Sequence, residues 1–475
     1  MQKAYTAQNS LCRFKTAAYN QKMGFAIVLI LLVVGTVLFH LWSPWWFTPI
    51  ASNWGTIDDT INLTFWITGV VFVAVNLFMA YAVIRYRHRK GARAAYEPEN
   101  KKLEWWLTGI TTVGVVAMLA PGLFVWAKFV NVPEDAAVFE VVGKQWHWSY
   151  RFPGKDGVLG TVAAKYINDN NPFGMNPDDS NGQDDVLVAS PEVHLPIGRP
   201  VKALLRSTDV LHDFAVAQFR VKMDLVPGLV SYVWFIPTRT GKFDLLCEEL
   251  CGIGHYTMRG KIVVEEEAAF QAWLSSYPTF AQTSKSVKVA GNVAAGKRLY
   301  AVCSSCHGPQ GQGNAAMYAP KLAGQGDWYL KRQLKSYKQG ARGTHEQDVF
   351  GKMMAPMAAT LADDTAINNV VAYIKTLPDN PAPATVTGDA ANGKKRYTTC
   401  GACHGSRGQG VQAMNAPGLK GMSDWYMVTQ LKNFKQGIRG SHPLDMYGAQ
   451  MALVAAMLVD DQAVNDIVAY INTLQ

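Results

Sequence analysis

The segment from Cys247 to Met258 concentrates side chains that bind metals. Cys247, Cys251, His255 and Met258 lie within twelve residues, in the pattern Cys-x3-Cys-x3-His-x2-Met. Thiolates, imidazoles and thioethers are soft donors that favour copper. A second imidazole must come from elsewhere, and His212 in Asp-Val-Leu-His-Asp-Phe is the natural candidate. The pattern therefore predicts a copper centre that transfers electrons.

Two other uses of these residues have to be weighed. A structural zinc ion takes four nitrogen or sulfur ligands, usually from closely spaced pairs, and has no use for the thioether of Met258. A disulfide between Cys247 and Cys251 would leave His255 and Met258 without a role. Both alternatives stay open, but copper accounts for all of these side chains.

A second chemical signal is the sequence Cys-x-x-Cys-His, which occurs at residues 303–307 and 400–404. This sequence is typical of covalent haem c attachment. The attaching cysteines would be Cys303 and Cys306 in the first copy and Cys400 and Cys403 in the second, with His307 and His404 as iron ligands. With Cys247 and Cys251 on copper, only Cys12 remains of the seven cysteines, and we expect it to be a free thiol.

The two haem motifs belong to a tandem repeat. Cys303 and Cys400 lie 97 positions apart, and the same offset superimposes Asp-Trp-Tyr at 327–329 on 424–426 and Val-Ala-Tyr-Ile at 371–374 on 468–471. Electron-transfer haems commonly take methionine as the sixth iron ligand, which raises the reduction potential. The candidates in the first copy are Met353, Met354 and Met357, and their equivalents are Gln450, Met451 and Val454. The repeat therefore selects Met354 and Met451, against the alternative that such methionines only fill the core.

The copper segment resembles the binuclear CuA site of cytochrome c oxidase subunit II. The resemblance extends to Gly-Lys-Gln-Trp-His-Trp-Ser-Tyr at 143–150 and to Val-Lys-Met-Asp-Leu-Val-Pro-Gly at 221–228. It implies that Cys247 and Cys251 bridge two copper ions, that His212 and His255 each ligate one, and that Met258 and the backbone carbonyl of Glu249 complete the set. It also implies that the Glu249 side chain reaches a magnesium ion at the interface with the catalytic subunit, and that electrons reach copper through Trp146.

The sequence departs from that family at two places. Leu229 stands where an arginine usually follows Pro-Gly, and a segment rich in Asn, Asp and Gly is inserted at about 156–185. Both departures lie outside the ligand set, so they bear on partner contacts rather than on copper. The C-terminal repeats resemble class I cytochromes c, close to the dihaem cytochrome c4 type, which implies haems that carry electrons and do not bind oxygen.

Three apolar runs, at about 24–41, 63–84 and 105–129, are each near the length of about 20 residues that spans a bilayer. Lys and Arg precede the first run and separate the second from the third, whereas residues 41–63 contain none. The positive-inside bias places the N-terminus in the cytoplasm and everything after about residue 130 outside. We expect a multi-pass protein of the bacterial inner membrane, with its copper and haem domains on the periplasmic side.

Two features of this anchor remain open. The first run could be a secretory signal peptide, although no small-residue cleavage site follows it, which favours its retention. Glu104, at the start of the third run, matches the glutamate that the family places at the mouth of a proton channel. An ordinary interfacial carboxylate is an equally good interpretation of Glu104.

The predicted fold class is α+β and multidomain. A membrane anchor over 1–132 is followed by a cupredoxin-like β barrel over 133–278 and two all-α class I cytochrome c domains over 291–378 and 389–475. Short alternating strands between Gly, Pro and Asn turns indicate the barrel. Segments at about 279–293 and 378–389 are expected to be linkers.

Charge is distributed unevenly along the chain, although the net charge is +9. Residues 133–277 carry 13 Lys and Arg against 19 Asp and Glu, whereas residues from 285 to the end carry 20 against 12. Opposite charge on tethered domains favours docking, so internal electron transfer is expected to slow as salt rises. The alternative is that this difference in charge is only an incidental bias of solvated surfaces. Nucleic-acid binding is disfavoured because the basic modules are haem domains outside the membrane.

The sequence predicts an electron-transfer subunit of a cytochrome c oxidase. Electrons would pass from an external donor through two haem c groups to CuA and on to the catalytic subunit for oxygen reduction. The implied partners are oxidase subunits I and III, membrane lipid, and a donor that is a soluble or membrane-bound cytochrome c or a quinol-oxidising complex. The alternatives are the CuA subunit of a nitric oxide reductase and a stand-alone membrane-tethered electron carrier.

Overall fold

The computed structural model describes residues 24–43, 48–87, 91, 93, 96, 98–168, 171–284 and 291–474. The chain forms two compact units. One comprises the residues up to Val132 together with Gln218–Arg220, and the other comprises Pro133–Ala217 and Val221–Gln475. The predicted free thiol of Cys12 lies outside the described residues.

The first unit contains three helices that are long and apolar enough to cross a membrane: α1 Gly24–Trp42, α2 Gly55–Arg85 and α3 Lys101–Val130. Each contains one of the predicted runs. Helices α2 and α3 extend past their runs because polar residues continue the helix, and α3 begins where the Asn100 side chain accepts a hydrogen bond from Leu103 N at 3.0 Å. Ala26 of α1 is buried in a small cluster with Ala80 of α2. Glu104 lies exposed in the first turn of α3.

The second unit begins with a β domain of two five-stranded sheets, in the orders β3-β2-β1-β5-β8 and β4-β10-β9-β6-β7. Its strands are β1 Ala137–Lys144, β2 His147–Phe152, β3 Val186–Val188, β4 Glu192–Pro196, β5 Val201–Ser207, β6 His212–Val216, β7 Val221–Leu225, β8 Ser231–Phe235, β9 Gly241–Leu246 and β10 Arg259–Glu265. Alternate residues of β5 are buried, as expected for a strand with one face in the core. This arrangement confirms the cupredoxin-like prediction.

The insertion at 156–185 is part of the β-domain core. Arg151 of β2 donates to Asp185 at 2.7 Å and to the carbonyl of Gly160 at 2.7 Å. Glu140 of β1 holds the same guanidinium at 2.9 Å. Met175 of the insertion is buried in a cluster with Val142 of β1. Because a buried charge needs a partner, this ion network fixes both ends of the insertion.

Helices make up the rest of the second unit: α4 Glu267–Leu274, α5 Phe280–Ser284, α6 Val293–His307, α7 Asp327–Lys338, α8 Val349–Ala359, α9 Asp364–Ile374, α10 Ala390–His404, α11 Asp424–Lys435, α12 Met446–Ala455 and α13 Asp461–Ile471. Helices α6–α9 form the first cytochrome repeat and α10–α13 the second. In each repeat the first helix crosses the last at a glycine. A Cβ on Gly296 would lie 1.9 Å from Asn369 O, and one on Gly393 would lie 1.9 Å from Asp466 O.

Both predicted linkers contain ordered residues. Phe280, at the start of α5, is buried in the same cluster as Met175. In the second linker the amide nitrogens of Thr385 and Val386 donate to the buried carboxylate of Asp424 at 2.5 and 2.8 Å. Hydrogen bonds to the carboxylate outweigh burial and hold the pKa of Asp424 below its ordinary value. The second linker is therefore fixed to the second repeat.

Candidate copper and haem centres

The candidate copper ligands come together at one end of the β domain. The loop that joins β9 to β10 carries Cys247, Cys251, His255 and Met258, and β9 pairs with β6, which begins at His212. The Cys247 and Cys251 sulfurs are 3.8 Å apart. His212 Nδ1 lies 4.0 Å from the Cys247 sulfur, and His255 Nδ1 lies 3.5 Å from the Cys251 sulfur.

The two remaining predicted ligands complete the cluster. The Met258 sulfur lies 3.9 Å from the Cys251 sulfur, and the Glu249 carbonyl oxygen lies 3.2 Å from the Cys247 sulfur. Both cysteines and Met258 are buried. The cysteines are free thiols in this structure, and their sulfurs are too far apart for a disulfide. This compact set of two thiols, two imidazoles, a thioether and a carbonyl fits a pair of copper ions.

The two cysteines differ in acidity. The hydrogen bond from Cys251 lowers the pKa of Cys247, and the same contact raises the pKa of Cys251. Without a metal the pair would hold one proton between the two sulfurs. Because copper binds thiolates, metal binding would release that proton.

Asp209 orients His212. Its carboxylate oxygen lies 2.8 Å from His212 Nε2, which turns Nδ1 towards Cys247. Burial opposes the charged ring, but the hydrogen bonds with Asp209 and Cys247 outweigh burial and raise the pKa of His212. The second carboxylate oxygen of Asp209 accepts from Gln145 N at 2.8 Å. A partner of this kind fixes which imidazole nitrogen faces the metal.

Trp146 lies directly on the copper loop. Its indole Nε1 donates to the carbonyl of Cys251 at 3.0 Å, and Gln145 Nε2 donates to the same oxygen at 2.8 Å. A Cβ on Gly254 would lie 2.3 Å from the indole ring, so only glycine allows this approach. The structure therefore brings the predicted electron-accepting side chain into hydrogen-bond contact with a predicted copper ligand.

The haem motifs occupy equivalent places in the two repeats. His307 ends α6 and His404 ends α10, and both are buried. His307 Nδ1 donates to the carbonyl of Pro320 at 2.7 Å, and His404 Nδ1 donates to that of Pro417 at 2.8 Å. Burial lowers the pKa of both histidines. Each neutral ring therefore has Nε2 available for iron.

One cavity of about 470 Å³ is lined by both haem motifs and also by Trp146. Met354 and Met451 are in its wall, as are Met353 and Met357. Met317 and Met414 line it too, and they are also related by the offset of 97 residues. Met317 and Met414 were not among the axial ligands predicted from the sequence, although the repeat offset relates them as well.

Two buried arginines face the same cavity. Arg342 is 5% exposed and Arg439 is 8% exposed, and both line it. Arg342 donates to Gln333 of its own repeat and to Gln430 of the other at 3.3 Å. Arg439 mirrors this, donating to Gln430 at 2.7 Å and to Gln333 at 3.1 Å.

These arginines need an anion. Neither is within 4.0 Å of a carboxylate, and both Nε atoms lack hydrogen-bond partners, among the residues that the structure describes. Because a buried cation without an anionic partner is costly, an acidic ligand is expected in the cavity. The propionate groups of haem supply such an anion, so the cavity fits haem in chemistry as well as position.

Comparison with known proteins found family matches in three parts of the chain. Residues 137–267 match the family described as cytochrome C oxidase subunit II, periplasmic domain, and residues 293–378 and 390–475 each match the cytochrome c family. The chain is similar to alternative cytochrome c oxidase subunit 2 of Bradyrhizobium diazoefficiens, with 62% identity over 262 residues that cover 55% of this chain and 95% of that protein.

Two further relatives cover different parts. Cytochrome c oxidase subunit 2 of Cereibacter sphaeroides is 30% identical over 235 residues, 48% of this chain and 77% of that protein. The crystal structure of cytochrome c4 from Pseudomonas stutzeri is 28% identical and covers 39% of this chain and 100% of its own, with a TM-score of 0.32. The chain belongs to the cytochrome c oxidase subunit II family, in a form that carries two C-terminal cytochrome c domains.

Proposed function

We propose that this subunit passes single electrons from an external donor through two haem c groups to a binuclear copper centre, and on to the catalytic subunit that reduces oxygen. Its family makes it a membrane-anchored subunit that works beside oxidase subunit I. Its relatives in Bradyrhizobium and Cereibacter are named as subunits of cytochrome c oxidase, which favours oxygen over nitric oxide as the final substrate.

At the copper site Cys247 and Cys251 would be the bridging thiolates. His212 and His255 would each ligate one copper, and Met258 and the Glu249 carbonyl would complete the set. Copper held by thiolates and imidazoles supplies a one-electron couple. Asp209 holds the His212 ring in place, and the burial of Cys247 and Cys251 keeps water from their sulfurs. The Glu249 side chain is half-buried beside the cluster and is the proposed magnesium ligand at the subunit I interface.

At the haem sites Cys303 and Cys306, and Cys400 and Cys403, would attach one haem each. His307 and His404 would be the proximal ligands and Met354 and Met451 the distal ones. Arg342 and Arg439 would bind the propionates, since they are buried, line the shared cavity and, among the residues that the structure describes, have no carboxylate within 4.0 Å. The match of each repeat to the cytochrome c family supports two haems per chain.

The surroundings of the subunit are proposed from the same family. We place it in the bacterial inner membrane with its copper and haem domains in the periplasm, and we retain α1, which packs against α2 through Ala26 and Ala80. Lipid would surround α1–α3, whose surfaces are largely exposed apolar side chains. Subunit III is a further partner, and the donor is a cytochrome c or a quinol-oxidising complex. Glu104 stays a candidate for the mouth of a proton channel.

A single observation carries the proposal: the compact thiolate cluster and the two haem motifs belong to one compact unit, with Trp146 in the wall of the haem cavity. The test is the optical spectrum of the purified oxidase complex with its haem c content. We expect two haem c per chain and a near-infrared copper band that Cys251→Ser removes without loss of haem. One haem per chain, or a copper band that survives Cys251→Ser, would overturn the proposal.

A further inference from the structure

The second cytochrome repeat packs on the copper domain. Four side-chain hydrogen bonds join the two. They are Asn415 Nδ2 to Ala189 O (2.8 Å), Tyr447 OH to Ala189 O (3.2 Å), Tyr256 OH to Leu453 O (3.2 Å) and Ser190 Oγ to the sulfur of Met446 (3.3 Å). Among the described residues no ion pair crosses this contact, so the predicted docking by opposite charge is not expressed as ion pairs there. The second haem motif therefore belongs to the repeat that contacts the copper domain.

The charged side chains in the wall of the haem cavity are not evenly shared between the repeats. Among the residues that the structure describes, the Lys, Arg, Asp and Glu side chains in this wall are Lys321, Arg332, Arg342, Asp348, Arg439 and Asp445. The offset of 97 residues relates the last four as one pair of arginines and one pair of aspartates, so they act alike on both haems. Lys321 and Arg332 correspond to Gly418 and Thr429, which carry no charge.

The two unmatched cations differ in their partners. Lys321 is neutralised by Asp379, with Nζ 2.6 Å from a carboxylate oxygen. Arg332 is half-buried and has no carboxylate within 4.0 Å in the part of the chain that the structure describes. Burial lowers the pKa of Arg332, but a guanidinium keeps its proton inside proteins. Arg332 is therefore an uncompensated cation that breaks the symmetry of the haem cavity.

Arg332 crosses from the first repeat to the second. Its Nη1 donates to Asn415 Oδ1 and its Nη2 donates to Asn415 O, both at 2.9 Å. Its guanidinium also lies 4.6 Å from the ring centroid of Tyr447, which is a cation–π contact. Asn415 lies two residues before Pro417, whose carbonyl holds Nδ1 of His404. The cation is thus placed against the loop that orients the proximal ligand of the second haem.

The matching contact of the first repeat carries no charge. The offset maps Asn415 to Tyr318, and the Tyr318 ring meets Trp425 of the second repeat edge-on, with centroids 6.0 Å apart. Thr429 stands in the place of Arg332, and its hydroxyl donates within its own helix to Trp425 O at 2.9 Å. At matching positions the repeats therefore meet once through a cation and once through aromatic rings.

A cation near a haem favours the reduced state, because reduction adds an electron, and the attraction is stronger inside a protein than in water. We propose that Arg332 raises the reduction potential of the second haem above that of the first, so that an electron shared by the two haems resides beside the copper domain. This inference rests on the proposed function. One electron leaves the first haem, which is oxidised, and reduces the second, and no bond forms or breaks.

The test is a redox titration of the whole oxidase complex in detergent, followed by haem c absorbance and by the near-infrared copper band. Two haem steps are expected, and the step that Met451→Leu displaces identifies the second haem. Arg332→Met removes the charge and keeps a long side chain, whereas Arg332→Lys keeps the charge and loses the paired bonds to Asn415. Lys335→Met is the matched control, since it removes a cation of the same helix that lies outside the cavity wall.

Arg332→Met is expected to lower the ratio of reduced second haem to reduced first haem about tenfold, because one charge is lost from a partly buried site. Arg332→Lys should restore most of this ratio. Thr429→Lys, which adds a cation at the matching position, should also lower the ratio, in this case by raising the potential of the first haem. Lys335→Met should leave it unchanged, because water and salt screen a surface charge. Haem content and the resting spectrum confirm that each variant is folded and loaded.

Three results would overturn the inference: an unchanged ratio in Arg332→Met and Thr429→Lys, an equal fall in Arg332→Met and Lys335→Met, or a fall in Arg332→Lys as large as in Arg332→Met. Failure of the proposed function looks different. In that case the near-infrared copper band of the wild type would be absent or would not respond, while the two haem steps and their dependence on Arg332 would remain.

Discussion

The two cytochrome repeats have the same interior and different surroundings. Tyr300, Leu330 and Val371 are buried in the first core, and their equivalents Tyr397, Met427 and Val468 are buried in the second. Each core packs against the first cysteine of its haem motif. Asn415 and Tyr447 of the second repeat donate hydrogen bonds to the copper domain, whereas their equivalents Tyr318 and Phe350 stack on each other in the wall of the haem cavity. The buried cores and the haem motifs are therefore alike in the two repeats, whereas the residue types beside the haem motifs differ.

The largest difference between the two repeats is expected when the cysteines that attach each haem are removed. Cys400→Ala with Cys403→Ala should lower haem c from two to one per chain and abolish reduction of copper by any donor, because the repeat next to the copper domain is then empty. Cys303→Ala with Cys306→Ala should lose the same amount of haem and abolish reduction by a protein donor, yet copper should still respond to a small chemical reductant. Haem content and the near-infrared band are the measurements. If both pairs behave alike, the repeats are interchangeable.

Substitution of the predicted axial methionines tests a feature that the two repeats share, the distal ligand of the haem iron. Met354→Leu and Met451→Leu should each lower the potential of one haem, because a thioether ligand raises the potential of haem iron. The controls are Met317→Leu and Met414→Leu, which change methionines of the same cavity and should leave both potentials near the wild-type values. Spectroelectrochemical titration separates the two haems. A larger shift in the controls would assign the distal ligands to Met317 and Met414 instead.

Substitution of Arg342 and Arg439 tests whether these two arginines bind the haem propionates. Arg342→Leu and Arg439→Leu should each destabilise the loaded chain by about 3–5 kcal/mol, since each leaves a buried anion without its cation. Arg342→Lys, which keeps the charge, should lose much less. Denaturant titration followed by haem absorbance gives the free energy of unfolding. An unaltered midpoint in both leucine variants would mean that these arginines do not bind the propionates.

A smaller effect is expected where the second linker meets its repeat. Asp424→Asn should destabilise the second repeat by about 2 kcal/mol at neutral pH, because hydrogen bonds to a charged group contribute about 1.5–3 kcal/mol. The folded-state pKa of Asp424 is lowered, so this stability is present above the ordinary carboxyl pKa of about 4 and is lost as pH falls through the folded value. Asp327→Asn is the matched control in the first repeat and should cost less. A deficit that grows as pH falls would contradict this account.

The sequence predicted the sites whose residues lie close together in the chain. Cys247 to Met258 and the two haem motifs contain their ligands within a few residues, and the offset of 97 positions repeats the cores. His212 was predicted from the sequence as the candidate second imidazole, and the family resemblance implied that it ligates one copper; the β6–β9 contact brings it to that loop in the structure.

Other features depend on chain segments far apart in the sequence. Gln145 and Trp146 bond to a backbone carbonyl, which carries no signal in residue type. Arg342 and Arg439 become conspicuous only when the fold buries them without a carboxylate. The contact at Ala189 is likewise made through main-chain oxygen. The order of the two haems therefore could not be predicted from the sequence.

The most direct test of electron transfer from haem to copper is the copper response of the full complex after its haems are reduced by a cytochrome c donor. If electrons pass from the haems to copper, haem c absorbance relaxes and the near-infrared copper band bleaches at one common rate. Cys251→Ser should then leave the haems reduced with no copper signal. Haems that relax at the same rate in Cys251→Ser as in the wild type would contradict the claim that this chain delivers its electrons through copper.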